Sequence, residues 1–157
     1  LFFLTSGNNI DKTESEKPQV LAMTAAVTIP ERITFAGEET VFDRYDKRER
    51  MDRELNSFTY FHSTTMLLIK RANRIFPTIE PILKKEGVPD DIKYLAVIES
   101  NLDHRAVSPA GAVGLWQFLQ STGRENGLEV RTDVDERYHI EKSTVAACRY
   151  LKNAYNK

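Results

Sequence analysis

Apolar positions recur at helical spacing through most of the chain after residue 45 and sit in short extended runs before it. Val20-Leu21-Ala22-Met23 and Val27-Thr28-Ile29 suit strands, with Pro30 interrupting them. Ile33-Thr34-Phe35 and Thr40-Val41-Phe42 flank Ala36-Gly37-Glu38-Glu39, which reads as a hairpin turn. Residues 20–44 are therefore expected to form an extended arm along a helical body, an unpacked linker being the alternative, since a lone hairpin is marginal in water. Asp46 and Glu49 fit a capping box before a long helix. Met51, Leu55, Phe58, Phe61, Leu68, Ala72 and Ile75 keep helical spacing, Thr65 filling the gap, and read as an ordinary core stripe. Pro77 and Pro81 are expected to kink or restart that helix. Ile79, Ile82 and Leu83 continue its apolar face up to the stop signal of Gly87 and Pro89.

A further helix is expected from Pro89, with Asp90 and Asp91 in its first turn, where the helix dipole favours anions. Ile92, Leu95, Ala96 and Glu99 fall on one face of it, so a carboxylate continues a stripe that should meet the core. Ser100 and Asn101 end the run, and a loop over 106–112 follows with Ser108-Pro109 and Gly111. Another helix is expected to open near Gly114 and to hold Trp116, Gln117 and Phe118. The last runs from about Glu141 to Tyr155, with Thr144, Cys148, Leu151 and Tyr155 on one face, joined by Ala147 and Ala154.

Composition narrows the class. The 157 residues suit one domain, and a hydrophobic content of 41% can build a core. A net charge of −1 gives no reason to expect nucleic acid as a partner. No apolar run approaches the roughly 20 residues of a membrane span. Residues 5–19 are polar and read as disordered or a linker. With Leu1-Phe2-Phe3-Leu4 ahead of them, residues 1–19 are taken as a disordered linker or the remnant of a signal peptide. Cys148 stands alone and suits a small core residue. His62, His104 and His139 are scattered, so neither a metal site nor any cofactor is expected.

Candidate chemistry centres on Glu99. A carboxylate on a buried face responds to desolvation with a raised pKa, which suits a general acid. The competing reading is a helix-end Glu paired with a nearby Arg or Lys. Glycoside cleavage usually needs two carboxylates. Here Asp103 is the only near neighbour, and it, Asp133 and Asp135 all fall in polar loops.

Glu99-Ser100, Ser108-Pro109-Ala110-Gly111-Ala112 and Gly114-Leu115-Trp116-Gln117 stand in the order and spacing of the soluble-type lytic transglycosylase catalytic domain. The run from Gln117 to Arg124, then Gly127-Leu128, is most similar to the membrane-bound D-type branch of that family. The resemblance covers roughly residues 45–157. It implies an all-α, lysozyme-like helical domain over 45–157 with the 20–44 arm in front and the C-terminal part of the domain missing. It implies cleavage of peptidoglycan between N-acetylmuramic acid and N-acetylglucosamine, with peptidoglycan glycan strands as partner. One Glu protonates the glycosidic oxygen and the substrate's 2-acetamido group steadies the developing cation. The same Glu then takes a proton from the sugar's 6-hydroxyl to close a 1,6-anhydro ring.

By that resemblance Glu99 is the catalytic residue and Ser108 hydrogen-bonds it. Gln117 lines the sugar cleft, and Trp116, where many relatives have Met, could stack on a sugar ring or pack in the core. Ser100 joins the substrate-binding candidates, with helix-end chemistry as its alternative. Gly111 and Gly114 are expected to permit tight turns, and Arg137 to pair with a carboxylate of its own loop.

The chain departs from the family pattern twice. Tyr138-His139-Ile140 stands where relatives tend to carry Asp-Pro. Asn153-Ala154-Tyr155-Asn156 looks like the family's Ala-Tyr-Asn motif, yet Tyr155 follows Gln117 by only 38 positions (155 − 117), too early for it. The resemblance therefore implies a further helix beyond Lys157 carrying that motif. A goose-type lysozyme-like hydrolase using Asp103 or Asp133, and a non-catalytic peptidoglycan-binding module, stay open as alternatives. The substrate implies a periplasmic location, with outer-membrane, cell-wall or membrane association through segments outside these residues.

Overall fold

The computed structural model describes residues 27–156. The proposed linker or signal remnant at 1–19 and the strand expected at Val20–Met23 lie outside them. The described part is mostly helical. A hairpin of β1 (Arg32–Phe35) and β2 (Glu38–Val41) leads into α1 (Tyr45–Tyr60), α2 (His62–Lys85), α3 (Lys93–Ser100), α4 (Gln120–Glu125) and α5 (Ile140–Tyr155). Short 3-10 turns at Asp90–Ile92 and Glu136–Tyr138 precede α3 and α5. No helix among the described residues is long and apolar enough to cross a membrane.

The hairpin is antiparallel, with Phe35 opposite Glu38 and Arg32 opposite Val41. Ala36 and Gly37 both take positive φ (51° and 89°), the type I′ geometry whose twist matches the two strands. The turn is tethered to the body, because the Ala36 N–H donates to Asp91 Oδ2 at 2.8 Å. Val27–Ile29 forms no strand, having no partner edge to pair with in that stretch.

The expected long helix is broken at Phe61, whose backbone (φ −83°, ψ 53°) leaves the helical region. The Thr65 hydroxyl donates to the Phe58 carbonyl that the break would otherwise orphan (2.9 Å). The capping box does not form. Arg44 is the N-cap, and Asp46, inside the first turn, ion-pairs with it at 3.0 Å. The expected core stripe also fails on this side: α1 buries no residue, and Phe58 and Phe61 are 52% and 61% exposed. Periodicity reports an amphipathic helix, but burial of the stripe needs a partner surface.

Pro77 and Pro81 neither end nor restart α2, which runs through both. An interior proline costs roughly 3 kcal/mol. Both prolines are exposed, so the carbonyls they leave without donors can reach water. The opposite face carries Ile75, Ile79 and Leu83, all at most 2% exposed, and their burial offsets the cost. α2 ends in a Schellman motif: Val88 N–H bonds Leu83 O at 2.9 Å and Gly87 N–H bonds Lys84 O at 3.2 Å. Gly87 takes the left-handed conformation this needs (φ 68°), and Val88 packs into the same cluster as Leu83. α4 ends the same way, through Leu128 N–H to Gly123 O (2.9 Å) and Gly127 N–H to Arg124 O (3.0 Å).

α2 packs against α5 and α3. The core they enclose holds Ile75, Ile79, Leu83, Ala96, Leu102, Leu115, Trp116, Phe118, Leu128, Val130, Ala146, Ala147 and Cys148. Burial pushes the Cys148 thiol up to about 11, the value of an inert core residue. Truncating the fully buried Leu83 removes core contacts, among them the apolar packing that accompanies the Schellman motif, and leaves its backbone bond in place. Leu83→Ala is expected to cost about 2–5 kcal/mol, read as a shift in the urea midpoint with the slope unchanged.

Candidate active site

α3 is two turns long and presents Ala96 and Ser100 to the interior, both buried. The axis of burial is thus rotated from the one expected. Glu99 stands beside it and is exposed, not buried. Four apolar positions on so short a helix cannot fix its rotation to better than about one residue step. α3 stops because Asn101 and Leu102 both turn left-handed (φ 52° and 57°), which Asn tolerates and which Leu102 sustains by being wholly buried.

The helix expected near Gly114 is absent. Residues 113–118 form a closed turn, with Val113 N–H to Phe118 O at 3.0 Å and Phe118 N–H to Val113 O at 3.1 Å. Gly114 takes φ 84° and Gln117 φ 49°. A Cβ on Gly114 would lie 2.1 Å from the Arg137 carbonyl oxygen, so neither the conformation nor the close approach admits a side chain there. Gln117 is strained for a non-glycine residue, by roughly 1–3 kcal/mol. Its side-chain amide offsets this, donating to Gly114 O at 2.8 Å and Ala106 O at 3.2 Å. The helix begins only at Gln120, after the turn has closed.

Glu99 and this turn face one another across a cleft of about 250 Å³. Gln117, Phe118, Leu119 and Thr122 line one side, Leu95 and Glu99 another, and Ala147, Tyr150 and Leu151 of α5 a third, with Trp116 at the base. Trp116 is only 8% exposed, and its indole N–H donates to Thr144 Oγ1 at 2.9 Å. It therefore belongs to core and cleft at once. Phe118 meets Tyr150 edge-on, with ring centroids 6.2 Å apart. Tyr150 escaped the sequence reading. Its signal was the i, i+3, i+4 set of Ala147, Tyr150 and Leu151, one face round from the Thr144–Cys148 stripe.

The other candidates fall elsewhere. The Ser100 hydroxyl is buried and points inward, bonding Ala96 O (3.0 Å) and Leu115 O (2.9 Å), which ties α3 to the turn. Ser108 tightens its own loop: its Oγ accepts from Ala112 N–H at 3.0 Å. Tyr155 does not join the apolar face of α5; it is 91% exposed near the helix end, where no element among the described residues covers it.

Glu99 is the only carboxylate lining the cleft, and among the described residues it has no hydrogen-bond or ion-pair partner. The acids that might assist it are committed elsewhere. Asp103 pairs with Arg71 at 2.9 Å, and Asp133 is exposed beside Arg131 at 3.7 Å. Asp135 grips Arg137 at 2.7 and 2.9 Å. No group of His, Cys, Asp and Glu among the described residues could hold a metal ion.

Residues 76–157 match the family model described as the Transglycosylase SLT domain. Membrane-bound lytic murein transglycosylase D of Escherichia coli K12 is 33% identical over 105 residues, 67% of this chain and 22% of that protein. Membrane-bound lytic murein transglycosylase F of Salmonella typhi is 33% identical over 92 residues, 57% of this chain and 18% of that protein. The chain thus spans about a fifth of the length of the curated relatives it matches.

The Asp135–Arg137 pair under the cleft makes a pH prediction. The hydrogen-bonded Arg137 guanidinium holds the Asp135 carboxyl below its ordinary 3.8, against the opposing effect of burial. A depressed folded-state value means stability that is present above 3.8 and lost as pH falls through the folded value. Asp135→Asn should melt lower than the parent at neutral pH, and the gap should narrow as pH drops below 3.8, followed by circular dichroism.

Proposed function

Because the chain belongs to the transglycosylase SLT domain family, we propose that it carries the catalytic centre of a peptidoglycan lytic transglycosylase. The helical body is read as the lysozyme-like core, with the Arg32–Val41 hairpin as its arm. Its relatives are named as murein transglycosylases, which supports peptidoglycan glycan strands as substrate and the periplasm as its place of action.

The observation that carries the reading is the lone carboxylate in the cleft. A hydrolase of the two-carboxylate kind sets its acids about 5–9.5 Å apart across the scissile bond. Here Asp103 and Asp135 are held by Arg71 and Arg137, and Asp133 is exposed and outside the cleft lining. One unpartnered Glu99 suits a reaction in which a single group acts twice. Protonated, it gives its proton to the glycosidic oxygen as the C1–O bond breaks. Ionised, it takes the proton of the 6-hydroxyl as that oxygen bonds to C1. The net result is a 1,6-anhydro end and a free 4-hydroxyl on the leaving sugar, with no water consumed.

Glu99 meets this role from an exposed position, so the glycan itself must displace the water around the carboxylate. Gln117 has both amide N–H bonds spent on backbone carbonyls, which leaves its Oε1 as the acceptor facing a sugar. Ser108 spends a lone pair on the Ala112 N–H and keeps its hydroxyl proton, the donor that this reading assigns to Glu99.

Glu99→Gln is expected to lower turnover by about 10²–10⁴-fold or more while glycan binding and the melting curve hold. Mass spectrometry of digested sacculi reads the outcome. Anhydro ends from the parent and none from the variant support the proposal. Reducing ends would point to a hydrolase. Near-parental activity of Glu99→Gln would overturn the assignment of Glu99.

A further inference from the structure

We infer that Arg137 is a positioning residue for the glycan cleft, acting through the backbone of the Val113–Phe118 turn; this rests on the functional reading above. Arg137 is 7% exposed and lies beneath the cleft without lining it. Its guanidinium has a division of labour. Nε and Nη2 take the two oxygens of Asp135 at 2.9 and 2.7 Å, which fixes the plane of the fork. Nη1 then reaches two carbonyls from different loops, Phe118 O at 3.0 Å and Gly111 O at 3.2 Å. Phe118 O also closes the turn by accepting from Val113 N–H.

One cation therefore locks the end of the turn that carries Gln117 and Phe118 to the end of the loop that carries Ser108. The stem and backbone of Arg137 shape the same region. Its carbonyl sits against Gly114, and its Cγ and Cδ fill the space a Gly123 Cβ would enter at 3.3 and 3.4 Å. Structural ion pairs in loops usually hold their own loop. This one holds two others, and one of them, the Val113–Phe118 turn, lines Glu99's cleft. Lysine keeps the charge but cannot span Asp135, Phe118 and Gly111 together.

The test uses the full 157-residue chain, whose single tryptophan is Trp116, inside the turn. Arg137→Lys is compared with the parent by acrylamide quenching of Trp116 and by steady-state cleavage of soluble glycan strands. Quenching should increase at unchanged helical circular dichroism. KM should rise about tenfold, the scale of one charge-assisted hydrogen bond, with kcat changed less than KM. If Arg137→Lys does not fold, Asp135→Asn is measured the same way and should shift both readouts in the same directions. A lowered melting temperature with quenching and KM at parental values would show a purely structural role and overturn the inference. The quenching comparison needs no substrate. If these 157 residues leave glycan uncut, the kinetic comparison is made in the longer protein that contains them, while an unchanged or raised quenching still decides the role of Arg137.

Discussion

Residues 113–118 are a length of buried backbone with no helix or sheet to satisfy them, and every polar group in such a stretch must find a partner. Four sources supply them, one being Ala106 O, which accepts from the Gly114 N–H at 2.9 Å. The turn closes on itself between Val113 and Phe118. Ser100 reaches in from α3 to Leu115 O, and Arg137 reaches from below to Phe118 O. The wall that faces Glu99 exists because these donors meet at one place. Their loss would leave buried carbonyls unpaired, at about 1–3 kcal/mol each.

The same economy explains the two faces of α3. Ala96 and Ser100 are turned inward, the first for packing and the second for its bond to the turn. Glu99, one residue before Ser100, is consequently turned out to the cleft edge. The residue pair Glu99-Ser100 thus does two jobs with adjacent side chains. The carboxylate is turned to the cleft, and the hydroxyl fixes the wall that it faces. Trp116 joins the same wall to α5 through Thr144.

Away from the cleft the packing is looser. α1 buries nothing, and the hairpin is tied down by polar bonds, from Ala36 N–H to Asp91 at its turn and from Lys47 to Val41 O at its base. The buried core is therefore concentrated in α2, α3, α5 and the turn beside them, and the family match covers all of this but the first part of α2.

Much of this was legible in the residues alone. The Gly87 and Pro89 stop, the Ala36-Gly37 turn and the last helix follow from local rules about positive φ, missing donors and apolar period, and these act within a few residues. The motif spacing around Glu99, Ser108 and Gln117 pointed to the family before any coordinates. What the residues could not decide was everything that depends on a distant partner. Which side of α3 meets the core is set by α2 and by the Val113–Phe118 turn. Whether Pro77 and Pro81 break a helix depends on the burial of the opposite face. Whether Trp116-Gln117-Phe118 coils depends on Ser100 and Arg137, at 16 (116 − 100) and 19 (137 − 118) positions' remove. Periodicity measures a preference within one segment. Burial and hydrogen-bond satisfaction belong to pairs of segments, and only the tertiary structure brings those pairs together.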